Sequence, residues 1–505
     1  MKRTTKLFSA LLALLLILSV FASCSAADKA ENDKDFLPPS PDKNNGASPE
    51  WDDEEADHDS DGFVENPFIA TAENNVSTFS ADVDTASYSY FRKLVNNRYT
   101  LEMLQNTAKS FRTEEFINYF RYNVTPPQNG ELFGTTADIF DCPWNESTVL
   151  MRLTLQAETA VTTEGNNLVF LIDVSGSMSS ADKLPLLIRT FSYLVDNLGV
   201  SDTVSIVTYS GQERVVLDGC SGAEGDRILN AINQLRANGS TNGEAGLQKA
   251  YEIAEKHFIR GGNNRIIMAS DGDLNVGIAS EAELKSFVEE KREAGVYLSV
   301  MGFGTGNYRD AKMETLADNG NGVYYYIDGE SEAEKVLGTD LLGTLYTVAE
   351  DVKLQITFDT AYVSSYRLIG YENRILSEED FTDDTKDAGE VGAGHQVTVC
   401  YELTLNEGAR STEKPWMKLA VRYKNPGEDV SLLNEYAIGS QQLTENISED
   451  LRFLTCVIRT AMLLHGSRYS GNDTPDSIIR DLKDLDLSDY PERAEFLALL
   501  ESIQK

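Results

Sequence analysis

The chain has 505 residues, too many for a single compact core, so two or three domains are expected. Hydrophobic residues at 41% and charged residues at 25% are ordinary for a globular protein, but 44 basic against 81 acidic side chains leave a formal net charge of -37. A field of that sign repels nucleic acid and anionic lipid surfaces, and it excludes polyanions as partners.

Lys2, Arg3 and Lys6 open the chain, and a mostly apolar run over residues 7–22 follows. That run is short for a membrane span and suits the core of a signal peptide. It ends Phe21-Ala22-Ser23-Cys24, which resembles a bacterial lipobox, although Phe21 stands where leucine is usual. The resemblance implies cleavage after a signal peptide of residues 1–23 and lipidation of Cys24. Export to the cell envelope is therefore expected, with a lipid anchor at the outer face of the cell membrane, or in an outer membrane if the cell has one. Residues 24–65 are rich in Pro, Ser, Asn and acids, without apolar periodicity. They bury too little surface to offset the entropy of ordering and read as a disordered acidic linker. Asp57, Asp59, Asp61 and Gly62 match the opening of an EF-hand loop, but Phe68 stands where that loop needs its last Glu, so the linker reading is preferred.

Folded sequence resumes near Asn66. A strand over 77–84, helices over 85–96 and 113–122, and an alternating strand over 149–156 define an N-terminal region, 66–160. From Asn167 the rhythm changes. Residues 168–173 form a continuous apolar run closing on an acid, as in a strand buried on both faces. Helices over 184–198, 226–236, 243–258 and 281–294 then alternate with strands over 203–209, 265–269 and 296–301. A short strand near Tyr324 and a last helix ending near Val348 complete the pattern. Such alternation predicts an α/β, Rossmann-like unit over 165–348, a parallel sheet with helices on both faces and ligands beyond its carboxyl edge. Residues 349–445 are β-rich, with strands over 352–358, 366–369, 396–405 and 417–423. They are expected to form a sandwich with the strands before residue 160, so that the α/β unit is inserted between β-rich flanking segments. Residues 446–505 read as helical, with apolar positions at Leu451, Leu454, Ile458, Met462, Phe496, Leu497 and Leu500.

Three loops carry the chemistry: Asp173-Val174-Ser175-Gly176-Ser177, Gly239-Ser240-Thr241-Asn242-Gly243 and Ser270-Asp271-Gly272-Asp273. Asp173, Ser175, Ser177, Thr241 and Asp271 would bring hard oxygen donors to one end of the sheet, a set that suits Mg²⁺, Mn²⁺ or Ca²⁺ and not zinc. Residues two apart in an extended turn can point the same way, and Gly176 lets the backbone bend between the two serines. Only two of the five groups are formally charged, so a bound ion stays electrophilic and can accept another carboxylate from outside. Turn and helix-cap chemistry is the bland explanation for Ser and Thr here, but three such loops in order favour the metal.

These residues resemble the metal-ion-dependent adhesion site of von Willebrand factor type A (VWA) domains. The resemblance implies that Ser175, Ser177 and Thr241 are direct ligands, that Asp173 and Asp271 act partly through waters, and that an acidic side chain of the partner completes the shell. The flanks are similar to those of bacterial VWA lipoproteins with an extra region on each side. The matching stretches begin Ser77-Thr78-Phe79-Ser80-Ala81-Asp82-Val83-Asp84, Glu114-Glu115-Phe116-Ile117-Asn118-Tyr119-Phe120, Tyr366-Arg367-Leu368-Ile369-Gly370-Tyr371-Glu372-Asn373-Arg374 and Asp387-Ala388-Gly389-Glu390. The function so implied is not enzymatic: a cell-envelope lipoprotein binding a protein ligand that presents an Asp or Glu carboxylate. With so acidic a chain, recognition should rest on short-range docking at the metal.

Two rivals stand beside this reading. One is an envelope scaffold or assembly factor that does not use the metal site. The other is a Mg²⁺-dependent phosphohydrolase built on Asp82-Val83-Asp84-Thr85 and Asp271-Gly272-Asp273, disfavoured because Ala86 falls where that motif wants Thr or Val. Gly302-Phe303-Gly304-Thr305-Gly306 lacks dinucleotide-loop spacing and reads as a turn. His58, His257, His395 and His465 are scattered, and His395 is expected to make a structural hydrogen bond. Cys142, Cys220, Cys400 and Cys456 form no C-x-x-C motif, and disulfides and buried thiols are equally open.

Overall fold

Val149, Met151, Leu153 and Leu155 alternate along one strand, Val149–Ala157, whose two neighbours come from opposite sides of the α/β segment. The structure, a computed structural model, describes residues 64–128, 130–159, 164–240, 243–272, 281–304 and 310–503. One five-stranded antiparallel sheet runs in the order Ile69–Ala70, Val363–Ile369, Gln396–Leu405, Val149–Ala157, Phe133–Asp141. The facing sheet runs Ile375–Leu376, Val76–Ser80, Thr347–Phe358, Pro415–Lys424, Leu432–Gly439, with Gly389–Gly392 added to the side of Thr347–Phe358. Strands from before residue 160 and after residue 346 thus share one sandwich, as expected, and Met151, Leu153, Leu354, Ile356, Val399 and Trp416 lie in its core.

The alternation in Val149–Ala157 suggested one dry face and one wet one. Nearly the whole strand is buried, because helices cover its second face. Leu150 and Cys400 point there, into a cluster with Tyr88, Phe91, Phe453 and Phe496 from helices Ala86–Asn96, Glu449–His465 and Pro491–Ser502. Polar positions on that face pair with one another: Arg152 binds Asp138, and the Thr154 and Thr398 hydroxyls lie 3.0 Å apart.

The α/β unit has a six-stranded sheet in the order Tyr324–Ile327, Tyr297–Phe303, Asn263–Ser270, Asn166–Asp173, Thr203–Tyr209, Glu213–Ser221. All neighbours are parallel except the last pair. The central strand explains its own sequence. Leu168, Phe170 and Ile172 face one apolar cluster, while Val169 and Leu171 face another on the opposite side. The last helix departs from expectation: it breaks into Glu330–Glu334, a π-turn at Lys335–Thr339 and Leu341–Leu345. Glycine is required at 343, where a Cβ would sit 2.2 Å from His395 Nε2.

Two arginines fasten this unit to its flanks. Arg92 binds Asp328 and Glu332 at 2.6 Å each and Glu495 at 3.1 Å. Arg374 lies 3.4 Å from Asp82, 3.7 Å from Asp84, 3.0 Å from Glu314 and 2.9 Å from Asp318. This explains why the predicted strand over 77–84 stops at Ser80: the two aspartates leave the sheet to face a buried guanidinium. Cys142, Cys220, Cys400 and Cys456 are buried free thiols. Among the described residues no helix is long and apolar enough to cross a membrane.

Candidate metal centre

The strand Asn166–Asp173 ends at the edge where parallel strands present their carboxyl ends, and Asp173 is its last residue. The backbone then turns at once. Val174 N–H donates to Tyr209 O at 3.0 Å, and Ser175 N–H donates to Asp173 Oδ1 at 2.8 Å. Ser175 is extended, a short 3₁₀ turn covers Gly176–Ser179, and Met178 anchors that turn in the core. Helix Leu184–Val195 starts with Pro185 in its first turn, where a missing N–H costs nothing. The outcome is the arrangement expected from the spacing: Ser175 Oγ and Ser177 Oγ lie 2.9 Å apart beside the Asp173 carboxylate.

The second loop is zipped to the first by backbone. Asn238 N–H donates to Val174 O at 2.7 Å, and Gly176 N–H donates to Gly239 O at 3.0 Å. Gly239 has φ +87°, a left-handed conformation that suits glycine. Thr241 and Asn242 lie outside the described residues, although Ser240 before them and helix Gly243–Lys256 after them are placed. From the third loop, Ser270 Oγ donates to Asp173 Oδ2 at 3.4 Å, and Gly272 N–H donates to Ser270 Oγ at 3.3 Å. Asp271 follows, only 3% exposed, against 0% for Asp173 and 1% for Ser175, while Ser177 is exposed. Asp273 lies outside the described residues, as do Cys24 and the acids at 57–61.

Burial pushes the Asp173 carboxyl up to about 6, against hydrogen bonds from Ser175 and with a further upward push from Asp271. Two buried carboxylates next to two adjacent hydroxyls are the donor chemistry a hard divalent cation satisfies. The residues present therefore fit Mg²⁺, Mn²⁺ or Ca²⁺. Among the described residues no group of three His, Cys, Asp or Glu side chains is placed to hold a metal.

One charged side chain at this site escaped the sequence reading. Lys183 Nζ donates to Asp271 Oδ2 at 2.7 Å and to Ser177 O at 3.0 Å. A basic residue shortly after the D-x-S-x-S run was its only signal. Elsewhere, Asp82 and Asp84 serve the Arg374 junction, and Asp84 Oδ1 also accepts Tyr324 N–H at 3.0 Å. His395 Nδ1 accepts Gly392 N–H at 3.2 Å, the structural bond expected, and His257 Nε2 lies 2.7 Å from Asp218. Gly304 turns with φ +80°, and residues 305–309 are outside the described set.

Comparison with known proteins adds the relationships. Residues 167–339 match the model of the von Willebrand factor type A domain, residues 54–152 match a model described as von Willebrand factor, and residues 343–505 match one described as the C-terminal region of the uncharacterized protein YfbK. YfbK of Escherichia coli (strain K12) is 41% identical over 468 residues, 87% of this chain and 80% of that protein. Inter-alpha-trypsin inhibitor heavy chain H3 of Homo sapiens is 23% identical over 266 residues, 49% of this chain and 29% of that protein. Among solved structures, a von Willebrand factor type A protein from Catenulispora acidiphila aligns at TM-score 0.39 and 18% identity, covering 67% of this chain and 80% of that one.

Proposed function

The chain belongs to the bacterial YfbK family of VWA proteins, and on that premise we propose that it captures a protein ligand through one divalent cation at the edge of its α/β sheet. The matched domain carries a protein-interaction or adhesion role. The finer reading rests on one observation: the Ser175 and Ser177 hydroxyls, 2.9 Å apart, flank a buried Asp173 where three loops are locked together. Ser175, Ser177 and, from the second loop, Thr241 would hold the ion, while Asp173 and Asp271 would supply its negative charge. The ion would supply an electrophilic site for a carboxylate from an Asp or Glu of the partner. The chain's part is to orient the hydroxyls, keep both carboxylates out of water and leave Ser177 open to the guest. The sequence at Cys24 supports a lipid anchor that displays this face outside the cell membrane.

The test is capture from membranes with the purified ectodomain, with Mg²⁺ or with EDTA, for the wild type and Asp173→Ala. Capture that EDTA and the substitution both abolish supports the reading. Capture indifferent to both identifies a scaffold that does not use the metal, and overturns it.

A further inference from the structure

Lys183 sits where its charge must matter to any ion in the loops. Its ammonium is 2.7 Å from Asp271 Oδ2, its side chain is 12% exposed, and the Asp271 side chain is fully buried. Its stem runs over Gly304, where a Cβ would meet Lys183 Cε at 2.2 Å, so the path exists because that turn has no side chain. The same ammonium holds Ser177 O, which joins the first loop to the third. Charges at such short range and out of water interact far more strongly than on an open surface.

We infer that Lys183 is a built-in counter-cation that competes with the bound ion for Asp271, and so sets how tightly the loops hold it. This deepens the metal-site reading and rests on it. The argument is electrostatic. A carboxylate shared with an ammonium has less negative charge to offer a divalent cation, and the ammonium repels that cation directly. The loops are thereby held in shape by a charge of the chain's own, and they bind an exchangeable ion more weakly than their oxygen donors alone would. A weaker ion, less neutralised, has more attraction left for a guest carboxylate.

The experiment is titration of the ectodomain with Mn²⁺, followed by its electron paramagnetic resonance, in wild type, Lys183→Met and Lys183→Arg. Methionine keeps the stem over Gly304 and removes the charge; arginine keeps the charge. Lys183→Met should bind Mn²⁺ about tenfold more tightly or better, with a lower thermal midpoint in EDTA, while Lys183→Arg stays near the wild type. If wild type binds Mn²⁺ and Lys183→Met binds it equally or more weakly, the competition is refuted and the metal site survives. If neither protein binds Mn²⁺, both readings fall. Should Lys183→Met not fold, Lys183→Gln takes its place with the same expected direction.

Discussion

The Arg374 junction and the proposed metal loops solve one problem in opposite ways. Each gathers carboxylates out of water and must balance their charge. At the junction the counter-charge is the chain's own guanidinium, surrounded by Asp82, Asp84, Glu314 and Asp318. At the loops, hydroxyls stand beside the carboxylates, and Lys183 reaches Asp271 from the side. A guanidinium tied into the chain makes a permanent staple with nothing left to exchange. On the proposed reading, loops rich in neutral oxygens would leave room for an ion that comes and goes. Substitutions at the first region should therefore cost stability, and substitutions at the second should cost binding.

Removing Arg374 gives the largest effect expected. Arg374→Met takes the guanidinium from Asp82, Asp84 and Asp318, while Glu314 keeps Arg112, and breaking a buried pair in this way costs about 3–5 kcal/mol. Urea unfolding of the ectodomain would report it. An effect below about 1 kcal/mol would mean that the junction is not a staple, and the contrast with the loops would lose one side.

The junction also predicts a pH dependence, smaller and opposite in sign to ordinary acid denaturation. Glu114 is fully buried, Oε2 accepts Tyr371 N–H at 2.8 Å, and Oε1 has no hydrogen-bond partner among the described residues. Burial, followed by the charges of Glu372 and Asp82, pushes its carboxyl up to about 8. The folded state then binds more protons than the unfolded state, so its stability is complete below the unfolded value near 4.5 and falls as pH rises through 8. Glu114→Gln should flatten the curve, making the variant the more stable protein at alkaline pH and the less distinguishable one at mildly acidic pH. Parallel curves for the two proteins would show that Glu114 titrates normally.

Legibility in the sequence follows the same physical divide. The run Leu168–Ile172 was readable because both faces of that strand are buried, so every position is apolar. Glu213–Ser221, Phe133–Asp141 and Leu432–Gly439 were not foreseen, and all three are sheet-edge strands. An edge strand carries exposed polar residues, such as Glu213 and Arg214, that blur its period. The last helix was harder to read for another reason: His395, which leaves no room for a Cβ at 343, comes from far along the chain. At the metal loops, the meeting of Asp173, Ser175 and Ser177 was legible because donors two residues apart at a strand end need only local geometry. Lys183 was not, since the fold must bring it to an aspartate 88 residues away.

The smallest stability effect should accompany a clear loss of binding, and Gly239 is the place to look. Its φ of +87° is left-handed, and an added Cβ would lie 3.2 Å from Ser210 Oγ, tight but relieved by a small shift. Gly239→Ala should therefore cost only about 1–2 kcal/mol. Yet Gly239 O accepts the Gly176 N–H between the two serines, and Gly239 leads directly into Ser240 and Thr241. A shift of a few tenths of an ångström there moves the second loop against the first, where ligand positions must be held to about half an ångström. Mn²⁺ affinity should fall by about tenfold or more, since each 1.4 kcal/mol of lost coordination is a factor of ten. Intact Mn²⁺ binding in a measurably less stable protein would reverse the expected order, and the loops would then have to be counted with the junction as part of the frame.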